Sequence, residues 1–154
     1  MLHSFVVTRS PTQDTSSHWY PWVYHNSTEF ITEGQINGIS GPELPKNLSN
    51  FCAVKLSQQE IFVIGGGHGN IGTKDVWIFN PDNGFERTAG PYLNIRRTRH
   101  SCGTMRDGGK TVIVVAGGNN GNDDEPGLLD SVEIYDPTVN AWNTGIKGIQ
   151  KELS

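Results

Sequence analysis

At 154 residues the chain is long enough for one respectable core, and 19 Gly with 8 Pro among short Val/Ile/aromatic runs point away from helix. A formal charge of −4 offers no general attraction to nucleic acid or to an anionic membrane. No apolar run approaches the roughly 18 residues of a membrane span, and two cysteines are too few for a disulfide scaffold or a four-thiolate metal site.

Residues 1–40 read as a worn, partial copy of a unit repeated more clearly later. FVVTRS at 5–10 is an apolar run without its glycines, and Trp22-Val23-Tyr24 with Phe30 keeps an aromatic spacing that recurs downstream. The opening MLHSFVVTRS lacks the basic n-region of a secretory signal, which favours the cytoplasm. The tripeptides Asn26-Ser27-Thr28 and Asn47-Leu48-Ser49 would be glycan acceptors only in an exported chain.

Residues 41–89 form the first complete unit. It begins with Gly41-Pro42-Glu43-Leu44, then offers a strand in NFCAVKL at 50–56. IFVIGG at 61–66 is an apolar strand stopped by a glycine pair, the usual mark of a turn with positive φ. DVWIF at 75–79 is a third strand, the Asn80-Pro81-Asp82-Asn83-Gly84 loop a hairpin, and Phe85 lies on the fourth.

Residues 90–145 repeat the pattern. Gly90-Pro91-Tyr92-Leu93 matches 41–44, RHSCGTM at 99–105 matches 50–56, and VIVVAGG at 112–118 matches the glycine-terminated strand. This alignment sets Cys52 and Cys102 at equivalent positions, as small strand-packing residues of adjacent units too far apart for an easy disulfide. Val132, Ile134, Tyr135, Asp136 and Pro137 stand where Val76, Ile78, Phe79, Asn80 and Pro81 stood, and Trp142 follows in place of Phe85. Residues 146–154 are an irregular tail.

A glycine doublet after an apolar strand, followed by a spaced Tyr/Phe and Trp/Phe, resembles the kelch repeat. Gly65, Gly66, Phe79 and Phe85 carry it once; Gly117, Gly118, Tyr135 and Trp142 carry it again. The period of about 50 residues with four strands suits a kelch blade. The resemblance implies an all-β fold, a partial kelch-type β-propeller of four-stranded antiparallel blades in an open ring. It also implies a protein-interaction module and not an enzyme, binding a protein or peptide without cofactor or metal. Open blade faces further suggest self-association. The alternative is a remnant of a secreted kelch oxidase or sugar-binding propeller, which an upstream signal and occupied glycans at Asn26 and Asn47 would favour.

In a four-stranded meander the second-to-third-strand loops (67–74 and 119–130) share an end with the fourth-to-first connection (about 89–98). This end supplies the candidate partner contacts: His68, Asn70, Asn120, Asp123, Asp124, Arg96, Arg97 and Arg99. The basic stretch Arg96–Lys110 and the acidic stretch Asp123–Asp136 otherwise read as solvated charge. Trp77, Phe79, Tyr135 and Trp142 suit packing between blades.

Other motifs are set aside on physical grounds. Gly67-His68-Gly69-Asn70-Ile71-Gly72 fits a dinucleotide fingerprint and 67–74 brushes a P-loop, but a strand-like TKDVWIF follows where each needs a helix N-terminus. Asn119, Asn122, Asp123, Asp124 and Glu125 lack the alternating spacing of a calcium loop. His68, His100 and Cys102 form no traceable ligand set.

Overall fold

The computed structural model describes residues 3–7, 28–32, 39–41, 43–44, 46, 48–68, 71–80, 88–121 and 127–144. Every regular element among them is a strand, and the chain divides into two compact units, Met1–Leu48 and Ser49–Ser154.

The first unit holds one antiparallel sheet of β1 (His3–Val7), β2 (Thr28–Thr32) and β3 (Ile39–Ser40), in that order. Phe5 pairs with Phe30 and Phe30 with Ile39. The expected strand at 22–24 lies outside the described residues, as do Asn26 and Asn47.

The second unit contains two four-stranded antiparallel meanders. One is β4 (Cys52–Ser57), β5 (Glu60–Ile64), β8 (Val76–Phe79) and β9 (Thr88–Ala89). Between β5 and β8 a small hairpin is made by β6 (Gly67–His68) and β7 (Ile71–Gly72). The other meander is β10 (Ser101–Asp107), β11 (Lys110–Ala116), β12 (Val132–Asp136) and β13 (Ala141–Thr144). We refer to these as sheets A and B. Each is a sheet of the kind the repeat predicts; Phe85 lies outside the described residues, so the fourth strand of sheet A is seen through Thr88 and Ala89.

Local chemistry accounts for the turns. β10 and β11 are joined through Gly108 and Gly109 at φ 55° and 86°, a conformation that a two-residue hairpin demands and glycine supplies without a steric cost. The doublets Gly65-Gly66 and Gly117-Gly118 adopt positive φ in both repeats. They also admit close neighbours. A Cβ at Gly65 would lie 2.7 Å from the Arg97 carbonyl oxygen, and one at Gly118 would lie 2.6 Å from that of Thr98. The segment 97–100 is therefore threaded between the two doublets.

Register decides which side chains meet. In sheet A, Cys52 pairs with Ile64 and Val54 with Phe62, while Ile64 pairs with Val76 and Phe62 with Ile78, so these six share one face. In sheet B, Cys102 pairs with Val115, Ile113 with Tyr135, Val115 with Glu133, and Tyr135 with Trp142, defining another face. The two faces close on each other. Phe62, Ile64, Val76, Leu93, Ile113, Val115, Tyr135 and Trp142 form one buried cluster, edged by Val54, Leu56, Ile78 and Cys102. The Phe62 and Tyr135 rings are 5.1 Å apart by centroid, and those of Tyr135 and Trp142 are 5.4 Å apart, both tilted. Each such side chain contributes about 1.5–3 kcal/mol by leaving water, which makes this junction the main apolar core of the unit.

A disulfide joins Cys52 to Cys102 across the same junction, with Cα atoms 6.0 Å apart. The expectation that these cysteines are equivalent and unbonded is overturned. Counted from the glycine doublets, the partner of Ile64 is Cys52, whereas the partner of Ala116 is Ser101. Cys102 is thus displaced by one residue from the counterpart of Cys52. In a strand one residue switches the face, and two stacked copies of a sheet oppose each other through unlike faces. The single-residue offset is what turns both sulfurs into one interface.

Candidate functional site

The loops at one end of sheets A and B are knitted into a continuous backbone ladder. Ser49 bridges Gly67, Thr73 bridges Arg97, Thr98 bridges Asn119, and Asn119 bridges Leu128. The bridges Ser49–Gly67 and Thr98–Asn119 are repeats of one another, each closed by a pair of N–H···O bonds of 2.8–2.9 Å. The connection from sheet A to sheet B therefore runs between the β5–β8 loop and the β11–β12 loop, and all three present side chains from one rim. The opposite end carries the tight turns at 57–60, 107–110 and 136–141.

Beneath the rim lies an ion pair. Arg97 and Glu133 are both wholly enclosed, and Arg97 Nε donates to Glu133 Oε1 at 3.0 Å. Arg97 Nη1 donates to the carbonyls of Gly117 (2.8 Å) and Ser131 (3.0 Å), and Nη2 to Ser131 Oγ (2.8 Å). The carboxylate accepts further bonds from the backbone N–H of Asn94 at 2.6 Å and of Ile95 at 3.2 Å. Charge buried this deeply persists only when paired and hydrogen-bonded, and both conditions are met. The pair pins the connecting segment to the second glycine doublet and to β12. The expectation that Arg97 contacts a partner is thereby corrected, because no surface of it remains to touch one. Glu133, read from sequence as part of a solvated acidic stretch, is likewise an interior residue.

Asn94 and Trp142 reinforce the attachment. Asn94 Nδ2 donates to the Trp142 carbonyl at 3.0 Å, and Trp142 Nε1 donates to the Pro91 carbonyl at 2.9 Å. Tyr135, buried against Phe62, donates its hydroxyl to Asn140 Oδ1 at 2.9 Å, and its burial raises the phenol pKa. On the outer surface Lys110 pairs with Asp136 across β11 and β12, which holds that carboxyl below its usual pKa.

The neighbouring charged groups separate by exposure. Arg96 and Arg99 are exposed, and among the described residues neither makes an ion pair. Arg99 sits at φ 55°, equivalent to Asn50 at φ 54°, and its N–H donates to the Asn50 carbonyl at 2.9 Å. Asparagine tolerates this region; arginine does so at a cost of the order of 1 kcal/mol. Ile71 is 52% exposed and Leu128 84% exposed, two apolar side chains on the same ladder that sequence reasoning did not single out. Asn120 is partly buried beside Gly72 and Gly127. Asn70, Asp123 and Asp124 lie outside the described residues, and of His68 only the backbone is described. The dinucleotide-like run at 67–72 forms the β6–β7 hairpin and not the start of a helix.

His100 is buried where the ladder meets the core, its ring against Gly65 and its backbone against Gly118. Burial, and then the neighbouring Arg97 guanidinium, lower its pKa from 6.5 to about 4, while the Ile64 carbonyl and Glu133 oppose the shift without overcoming it. His100 is thus neutral when folded and charged at mildly acid pH when unfolded. For a lowered histidine pKa, the unfolded chain binds more protons between the two values, so stability is full above pH 6.5 and declines as pH falls toward 4. The loss amounts to about 3 kcal/mol. Urea unfolding followed across this range should show that decline, and a His100→Gln variant should show a flatter profile.

Residues 96–145 match the family model described as the Kelch motif. No curated protein matches the chain. Among solved structures, one similar chain is described as a novel fungal alcohol oxidase with catalytic diversity among the AA5 family, in complex with copper. The TM-score is 0.65 at 17% identity, over 80% of this chain and 28% of that one. The present chain thus spans little more than a quarter of that structure, and the likeness is one of fold. The fold of the second unit is a propeller-type stack of two four-stranded antiparallel sheets.

Proposed function

We propose that this chain, a propeller segment with a kelch motif at 96–145, serves as a protein-binding module and not as an enzyme. The observation that carries the reading is the composition of the ladder end: Leu128 and Ile71 exposed beside Arg96 and Arg99, on a backbone held by the buried Arg97–Glu133 pair. Arginine is among the residues enriched where binding energy concentrates at protein interfaces, and exposed apolar side chains on a rigid support add area to be buried. An arginine kept in a strained backbone conformation fits the same reading, since asparagine or glycine would suit the fold better.

The test is affinity capture from the source cells with paired variants. Arg96→Glu combined with Leu128→Asp should reduce recovery of a specific protein at least tenfold. Val139→Asp, in the exposed turn between β12 and β13 at the opposite end, should leave recovery unchanged. Equal loss with both, or with neither, would remove the rim from consideration.

One observation favours the second reading, a secreted oxidase or sugar-binding propeller. Disulfides persist mainly in oxidising compartments, and the Cys52–Cys102 bond weighs against the cytoplasmic expectation. The copper named for the structural neighbour finds no fit in the described residues. No three His, Cys, Asp or Glu side chains gather there, both cysteines are bonded to each other, and His100 faces the Arg97 cation. An exported binding module reconciles the disulfide with the rim.

A further inference from the structure

We propose that the Cys52–Cys102 disulfide is a redox switch for the rim, holding the backbone of Arg99 in its left-handed conformation and releasing it on reduction. Its regulatory role rests on the rim being a binding surface, whereas the conformational step is independent of any partner.

The disulfide and the rim are linked through a short stretch of chain. Arg99 stands three residues before Cys102, and Asn50 stands two residues before Cys52. The Arg99 N–H donates to the Asn50 carbonyl at 2.9 Å. That hydrogen bond and the disulfide close one small ring, with 50–52 on one side and 99–102 on the other. β4 and β10 do not pair as strands, so among the described residues these two links join the entries to the two strands.

Arg99 is the strained member of this ring. It lies at φ 55° and Asn50 at φ 54°, so the two repeats ask for the same backbone at this position. Asparagine adopts it readily and arginine does so at a cost. That cost is of the same order as the net worth of one hydrogen bond between exposed residues, which is all that Asn50 supplies. The hydrogen bond alone therefore leaves Arg99 near balance between the left-handed and extended regions. The disulfide tips that balance, because it keeps the Asn50 carbonyl beside the Arg99 N–H without a further loss of chain entropy.

Cys52 and Cys102 are both partly exposed, so a dithiol reductant can reach the bond. One thiolate of the reductant attacks a cysteine sulfur, forming a mixed disulfide and releasing the other cysteine as a thiolate that takes up a proton. The second thiol of the reductant then displaces the remaining cysteine and leaves as a cyclic disulfide, so two electrons and two protons pass to Cys52 and Cys102. The sheets keep their own support in the Phe62, Tyr135 and Trp142 cluster, and Arg97 keeps Glu133. The change is confined to the entry of β10, where the exposed Arg99 side chain is redirected.

The experiment is NMR of the full chain, oxidised and in excess dithiothreitol, with the Arg99 φ angle read from its backbone couplings and its intraresidue amide-to-Hα contact. On reduction, about half or more of the molecules should leave positive φ at Arg99, while the Phe62, Tyr135 and Trp142 rings keep native shifts. Cys52→Ser with Cys102→Ser should match the reduced protein without reductant. Arg99→Asn should stay at positive φ in both redox states, which loosening of the whole rim would not permit. The proposal is overturned if Arg99 keeps positive φ on reduction, or if Arg99→Asn loses it as Arg99 does. Loss of the native ring shifts on reduction overturns it as well, since the bond would then be a staple for the whole unit. None of these readings uses a partner, so failure of the capture test removes the binding role and leaves the switch to be judged on φ alone.

Discussion

Replacing Arg97 with alanine should be the most damaging single change in the second unit, lowering unfolding stability by about 3–5 kcal/mol. The figure does not measure the worth of the ion pair. It reflects what is left behind: Glu133 wholly buried without its counter-charge, and the Gly117 carbonyl without its side-chain donor, while the Ser131 carbonyl keeps only the bond from the Gly117 N–H. Against the roughly 5–15 kcal/mol that separates folded from unfolded domains, this loss could leave the unit marginal. Two companions sharpen the test. Arg97→Lys should recover only part of the loss, because an ammonium lacks the planar fork that reaches Glu133, Gly117 and Ser131 together. Arg97→Met with Glu133→Leu should be far less destabilising than Arg97→Ala, since it removes both buried charges at once. Urea unfolding of the variants measures all three. A loss below 1 kcal/mol for Arg97→Ala would show that water reaches the carboxylate.

Reducing the Cys52–Cys102 bond should cost about 4 kcal/mol, the chain-entropy estimate for a loop of this length. The cysteines are 50 residues apart in sequence. Their strands β4 and β10 are edge strands of their sheets, so the bond ties two edges that do not pair with each other as strands. Cys52→Ser with Cys102→Ser should lower the denaturation midpoint by the same amount as reductant does in the unaltered protein. Reductant should then have no effect on the double variant. Equal midpoints for oxidised and reduced protein would mean that the Phe62–Tyr135 core alone fixes the junction.

Much of the fold was legible because the repeat fixes strand order. The doublets at 65–66 and 117–118 and the aromatics Phe79 and Tyr135 located three strands of each sheet, and both sheets have them in the expected order. What escaped the sequence reading turned on single-residue phase. Aligning the first strands by their cysteines, and not by their distance from the doublet, made Cys52 and Cys102 equivalent and hid the disulfide. Glu133 was lost among acidic neighbours because charge suggests solvent. Its phase tells otherwise: it lies two residues before Tyr135, on the same face of β12, in the place of Trp77. Arg97 was grouped with Arg96 and Arg99, yet it is buried and they are exposed; simple alternation would have put Arg97 and Arg99 on one face, and the positive φ at Arg99 breaks it. Exposed Ile71 and Leu128 carried no signal at all, because apolar residues in a glycine-rich loop look like ordinary strand fragments.

The bond between Cys52 and Cys102 also changes the connectivity of the molecule. Together with the backbone from 52 to 102 it closes a covalent ring that contains β5, the β6–β7 hairpin, β8, β9 and the Arg97 segment. A protease that severs any one peptide bond inside that ring opens it without dividing the protein. The two pieces stay tethered at the sheet junction, next to the aromatic cluster, until a reductant releases them. In an environment rich in proteases and poor in thiols, the loop between β5 and β8 and the connection from sheet A to sheet B can therefore be cut once and still be held in place.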